Sequence, residues 1–117
     1  LSKADFSGSN LALASFVYVG LVSGDFSNAD LKKAAFAATD LTEANFTGAD
    51  LRGAAFESVD LTGAIFDGAI LDKETMFKHA DLSNARLDKA KIDGTIFSEA
   101  TLCETMTPWG QDDAGCG

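Results

Sequence analysis

Large apolar residues recur every five positions along most of this chain. The series runs Leu1, Phe6, Leu11, Phe16, Leu21, Phe26, Leu31, Phe36, Leu41, Phe46, Leu51, Phe56, Leu61, Phe66 and Leu71. After one extra residue it resumes at Phe77, Leu82, Leu87, Ile92, Phe97 and Leu102. Two residues before each centre stands a small one, usually Ala, as at Ala14, Ala34, Ala54 and Ala80. In extended chain, residues two apart point the same way, so the small residue and the centre both face inward. The residue between them faces outward and is often Asp or Asn: Asp5, Asn10, Asp25, Asp30, Asp40, Asn45, Asp50, Asp60, Asp81. Ser, Thr, Gly and Lys fill most of the remaining two places, where the chain must turn.

An α-helix cannot carry this pattern, because five residues advance about 500° and smear the apolar series around every face. A flat sheet fails because an odd period flips faces. A coil that turns a corner every five residues meets both objections. Phe and Leu alternate from Leu1 to Leu71. With four units per coil, Phe stacks on Phe and Leu on Leu; with three, Phe would stack on Leu. The expected fold is therefore all-β, a right-handed quadrilateral β-helix over residues 1–105 with a capping tail over 106–117. Roughly five coils, each about 4.8 Å high, make a rod roughly 25 Å long.

These residues resemble the pentapeptide repeat family, whose motif is A(D/N)LXX. Matches stand at Ala29-Asp30-Leu31, Ala44-Asn45-Phe46, Ala49-Asp50-Leu51 and Ala80-Asp81-Leu82. The resemblance covers residues 1 to about 105 and implies the four-sided right-handed β-helix. For function it is less specific, because members of the family do different things.

The pattern breaks in three places. The extra residue falls within Asp72-Lys73-Glu74-Thr75-Met76, either a tolerated bulge or a local binding feature. Counted as a bulge, it leaves Phe77 on the face of Phe16, Phe36 and Phe56. That face is the second irregularity. Its outward positions before the centre read Ser15, Ala35, Ala55 and Met76, without the Asp or Asn of the other three faces. Val17, Tyr18, Ala37 and Ala38 extend the uncharged surface; Leu13 and Val22 are expected to point out and Val19 in. A smooth uncharged face on an acidic rod suggests protein docking, the alternative being that Ala merely suits a flat β surface. Leu13, Val17, Tyr18, Val22, Ala35, Ala37, Ala38 and Ala55 are the candidate contact residues. The third irregularity is at the ends. Leu1 already holds a central position, which suggests further chain upstream. Beyond Leu102 the repeats stop, and Trp109 is placed to plug the last coil after Pro108.

The only two cysteines, Cys103 and Cys116, both sit in this tail. Joined, they would close a loop whose constraint stabilises by roughly 3 kcal/mol, in an oxidising compartment. Unjoined, they would be two free thiols of a cytosolic protein. The arrangement of Cys103, Pro108 and Cys116 is similar to that in cyanobacterial and thylakoid-lumenal pentapeptide repeat proteins. The bridge is the expectation, and this resemblance implies a lumenal or periplasmic protein.

Composition narrows the function. Nine basic against 18 acidic residues give a net charge of -9, which repels phosphate backbones and argues against nucleic acid as partner. No stretch approaches the roughly 20 apolar residues of a membrane span. Stacked Asp and Asn columns could form a metal ladder, but ordinary turn chemistry is the expectation, and no metal or other cofactor is expected. His79, the one histidine, falls on an outward position. No nucleophile–base set and no phosphate-cradling loop are visible, so an enzyme is not expected. The leading reading is a structural or protein-interaction module that docks on the lumenal side of a photosynthetic membrane complex. The alternatives are a DNA-mimicking gyrase binder, which quinolone-resistance pentapeptide proteins resemble in fold and acidity, and a lumenal protein regulated by reduction of its cysteines.

Overall fold

The computed structural model describes residues 3–95 and 97–116. Leu1, the first centre of the series, lies outside the described residues. The coil is closed by parallel pairing between residues 20 apart. The strands β1 (Ser15–Val17), β2 (Ala35–Ala37) and β3 (Ala55–Glu57) form one sheet, with Phe16 on Phe36 and Phe36 on Phe56. Single bridges repeat the register on the other sides: Asp5 on Asp25 on Asn45, Asn10 on Asp30 on Asp50, Gly20 on Asp40 on Asp60. The spacing becomes 21 across the extra residue, as in Ala55 on Met76 and β4 (Ile70–Leu71) on β5 (Lys91–Ile92), then returns to 20 at Asp81 on Thr101. Four five-residue units per coil account for this register. The described residues contain strands and turns and no helix, in a body of 33 × 25 × 19 Å.

Most corners have the same cause. The residue two after the centre takes a positive φ at most units, as at Leu13 (66°), Tyr18 (55°), Asn28 (58°), Ala38 (50°) and Gly63 (71°). At these corners one left-handed residue turns the chain, and the amide after the corner donates back to the centre's carbonyl, as Ala14 N does to Leu11 O at 3.0 Å. Between corners, amides and carbonyls bond to the coils on either side, as in Phe26 N to Asn45 O at 2.7 Å and Asp25 N to Ala4 O at 2.8 Å.

The interior is two columns of phenylalanine and two of leucine. Phe6, Phe26, Phe46 and Phe66 stack with centroids 5.1–5.2 Å apart. Phe16, Phe36, Phe56, Phe77 and Phe97 do the same at 4.8–5.2 Å. The two columns meet edge to face, as Phe36 and Phe46 do at 6.3 Å. Leu21, Leu31, Leu41, Leu51 and Leu61 are fully buried beside them. Burial of each large side chain contributes about 1.5–3 kcal/mol, and each favourable ring pair about 0.5–1.5 kcal/mol more.

The apolar series ends at Leu102, but the coil does not. Met106 bridges Arg86, and Leu87 N donates to Met106 O at 2.6 Å. Thr107, five residues after Leu102, takes the place of a centre and is buried. There β6 (Thr105–Thr107) turns back as an antiparallel hairpin with β7 (Gly110–Asp112). Cys103 and Cys116 are bridged, with Cα atoms 4.8 Å apart. Gly115 lies directly on the final coil: its amide donates to Leu102 O at 2.7 Å, and a Cβ there would stand 2.8 Å from Leu102 N.

Candidate functional site: the uncharged face and its surroundings

On most of the surface, the polar ladder is occupied by its own turns. The Oδ1 of Asp5 accepts from Ser7 N at 2.9 Å and Ser7 Oγ at 2.6 Å. Asp25 holds Ser27, Asp40 holds Thr42, Asp60 holds Thr62 and Asp81 holds Ser83 in the same way. The Asx carboxylate thus fixes the amide just past the centre, the step that starts each corner. Ser7's hydroxyl, and then its amide, hold the Asp5 carboxyl below its ordinary value. Asp50 is lowered first by the side chain of Arg52, which it binds through both oxygens at 2.9 and 2.6 Å. These carboxylates are therefore structural, and none of the groupings of His, Cys, Asp and Glu among the described residues could hold a metal ion.

The extra residue is accommodated by Asp72 and Thr75. Gly53 N should donate to the carbonyl of residue 72, as Lys33 N does to Arg52 O. It donates instead to the Asp72 carboxylate at 3.1 Å, while Thr95 Oγ1 takes over the Asp72 carbonyl at 2.7 Å. Thr75 fills the inward small position and donates to Leu51 O at 2.8 Å. Partial desolvation raises the Asp72 carboxyl, but bonds from Gly53 N, Glu74 N and Thr75 outweigh it and leave the group below its ordinary value. Nothing in the residue types alone flags this exchange of side chain for backbone, since D-x-x-T reads as any polar turn. The bulge also opens a recess of about 250 Å³ beside Met76, between Lys73 and Lys78.

The face without Asp or Asn is built by β1, β2 and β3, and its one charged residue is the exposed Glu57 that pairs with Ala37. Leu13 is 74% exposed, Tyr18 84% and Val17 50%. Ala35 and Ala38 are exposed, and Ala37 and Ala55 half-buried. Leu13 and Tyr18 occupy the corner positions at either end of β1, with positive φ of 66° and 55°. Bulky residues are disfavoured there by roughly 1–2 kcal/mol relative to glycine, and exposure gives them little packing in return. Val22 is half-buried and belongs to the following unit, away from Leu13. Val19 points inward and packs on the core. His79 is an exposed corner residue with φ 55°, its amide bonded to Glu99 O at 2.9 Å.

At the far end, Trp109 meets Phe97 edge-on at 5.9 Å yet is 59% exposed. It forms a wall rather than the expected plug. An open recess of about 440 Å³ lies between Trp109 and the last coil, beside the point where Gly115 touches Leu102.

Solved structures share this architecture. Rfr23, a pentapeptide repeat protein of the cyanobacterium Cyanothece 51142, matches at 22% identity over 86% of this chain and 79% of its own, with a TM-score of 0.76. HetL of Nostoc sp. strain PCC 7120, described as involved in heterocyst differentiation regulation, is 26% identical over 94% of this chain and 49% of its own, TM-score 0.56. QnrB1, a plasmid-mediated fluoroquinolone resistance protein, is 26% identical over 89% of this chain and 60% of its own, TM-score 0.58. No curated protein matches the chain by sequence. The family profile of pentapeptide repeats, in 8 copies, matches residues 1–32, 39–73 and 73–102. The chain belongs to the pentapeptide repeat family.

Proposed function

We propose that this protein is a non-enzymatic interaction module, a right-handed rod of roughly five coils that docks on a protein partner through the face of β1–β3. The carrying observation is the pair Leu13 and Tyr18, large and exposed at left-handed corners where small residues suit the fold better. Residues that cost stability where they stand point to selection for contact. Between them the face offers Val17, Ala35 and Ala38, with Glu57 as the only carboxylate of β1–β3, so a partner desolvates little charge on approach. The Cys103–Cys116 bridge suits an oxidising compartment. A thylakoid lumen, with the lumenal side of a photosynthetic membrane complex as partner, fits the bridge and the cyanobacterial structural neighbours.

The test is the native mass of the endogenous protein in gently solubilised membranes, compared with a strain carrying Ala35→Arg. Wild type is expected to co-migrate with a large complex, and the variant to run as a free, folded monomer. Retention of Ala35→Arg in the complex would exclude this face as the contact.

A second reading has support of its own. The net charge of -9 and the likeness to QnrB1 favour a gyrase-binding DNA mimic. Protection of gyrase supercoiling from a fluoroquinolone by this protein would establish that reading; absence of protection removes it.

A further inference from the structure

The cavity at the capped end has a lining that selects a particular chemistry. Phe97, Ala100 and Leu102, the end of the hydrophobic core, line its apolar part, and Trp109 walls it. Phe97 and Ala100 are only partly covered. Phe97 meets Trp109 edge to face, at an interplanar angle of 62°, which leaves much of the indole surface free for another group. On the rim stands Asp112. Its Oδ1 accepts from Ala114 N at 2.9 Å, but its Oδ2 has only Trp109 Nε1, at 3.4 Å. That distance is long for a charge-assisted bond, which favours about 2.7–2.9 Å. The neighbouring Asp113 is committed to the cap, where it accepts from Glu104 N at 2.9 Å and from Gln111 Nε2 at 3.2 Å.

Charge points the same way. From Ile92 to Gly117 the chain carries Asp93, Glu99, Glu104, Asp112 and Asp113, and no Lys, Arg or His. No salt bridge engages Asp112 among the described residues. The volume, about 440 Å³, is in the range of small-molecule sites.

We infer that this cavity is a binding site for an ammonium group carried on an apolar stem. The stem lies on Phe97 and Leu102, and the cation sits on the free face of Trp109 within reach of Asp112 Oδ2. Aromatic face and carboxylate together favour a cation over a neutral or anionic group of the same size. The same chemistry is offered by a small organic amine and by a lysine side chain of a partner protein. The site is independent of the β1–β3 face, so failure of either leaves the other standing.

Trp109 is the one tryptophan in the chain, so its emission reports this site alone. The disulfide-intact protein is titrated with phenethylammonium, 2-phenylethanol and 3-phenylpropionate. A saturable change is expected with the amine, a response at concentrations at least about tenfold higher with the alcohol, and none with the carboxylate. Asp112→Asn should bring the amine down to the level of the alcohol. Ala100→Met, which fills the cavity from its floor, should abolish the response to both while the circular dichroism spectrum stays unchanged. A blocked Ala-Lys-Ala peptide distinguishes the sources: tighter binding than the free amine assigns the site to a partner's lysine, weaker binding to a small amine. Absence of saturation with both, equal response to the carboxylate, or indifference to both variants would overturn the proposal.

Discussion

Ile65 and Asp67 stand where Asn45 and Thr47 stand one coil earlier, and the exchange is costly. In the earlier coils the Asx side chain at the first place accepts from the amide and hydroxyl at the second, as Asp25 does from Ser27. With Ile at the first place and Asp at the second, the bond cannot form, and Asp67 Oδ1 is buried without a partner. Asp88, stacked next in the column behind Arg86, shows the same orphaned Oδ1. A buried acceptor left unsatisfied costs about 1–3 kcal/mol. Restoring the lock with Ile65→Asp and Asp67→Ser together should therefore raise stability by about 1 kcal/mol, after the loss of half-buried Ile65 packing is deducted. Ile65→Asp alone should lower it, because two carboxylates then face each other two residues apart. Urea midpoints of the two variants against wild type decide it; a double variant no more stable than wild type would show that the lock contributes nothing at this level of the rod.

Within a single unit, the extra residue shows how far one element can depart from the pattern without breaking the coil. Phe77 still stacks on Phe56 at 5.1 Å, because Asp72 and Thr75 supply from side chains the bonds that the backbone gives elsewhere. Thr75→Val keeps the volume and removes the hydroxyl, which leaves Asp72 N without its acceptor and Leu51 O with the Ala54 amide alone. The expected cost is about 1–3 kcal/mol, against less for Thr42→Val, whose hydroxyl is on the surface; chemical denaturation of the two variants measures the difference. The centres, the inward alanines and the 20-residue register were legible in the sequence because each rests on a period, and the structure repeats them from Phe6 to Leu102. The bulge was legible in position but not in repair, since nothing in Asp72 or Thr75 as residue types tells which polar turn will reach across 19 residues to Gly53. The unit centred on Thr107 was hidden because a buried threonine breaks an apolar series. The hairpin β6–β7 follows no repeat, so only its tertiary fit to Leu102 through Gly115 defines it. As for the docking face, its lack of Asp and Asn was visible along the chain, whereas the exposure of Leu13 and Tyr18 at positive φ needed the coil.

For the whole rod, each coil touches only its neighbours, so stability is close to a sum of coil terms and interface terms and need not be lost all at once. The two phenylalanine columns bind the middle tightly: Phe26, Phe36, Phe46, Phe56 and Phe66 are all fully buried. The C-terminal end has less. Ile92, Phe97 and Ala100 are only partly covered, and an open recess lies beside Trp109. What holds the cap is the hairpin, the Gly115 N to Leu102 O bond and the Cys103–Cys116 bridge across 13 residues. A bridge closing a loop of that size is worth roughly 3 kcal/mol in the chain-entropy account. Reduction should therefore release the cap before the middle yields. In native-state hydrogen exchange, the amides of Gly115 and Met106 are expected to lose about a hundredfold protection or more on reduction, while those of Phe46 and Phe56 hold theirs. The Trp109 emission should shift to the red in the same step. A uniform loss of protection along the chain would mean that the coils unfold as one unit and that the bridge stabilises all of them; unchanged protection at Gly115 would mean that the hairpin and its bond to Leu102 hold the cap unaided, and that a change of redox state leaves the end of the rod as it was.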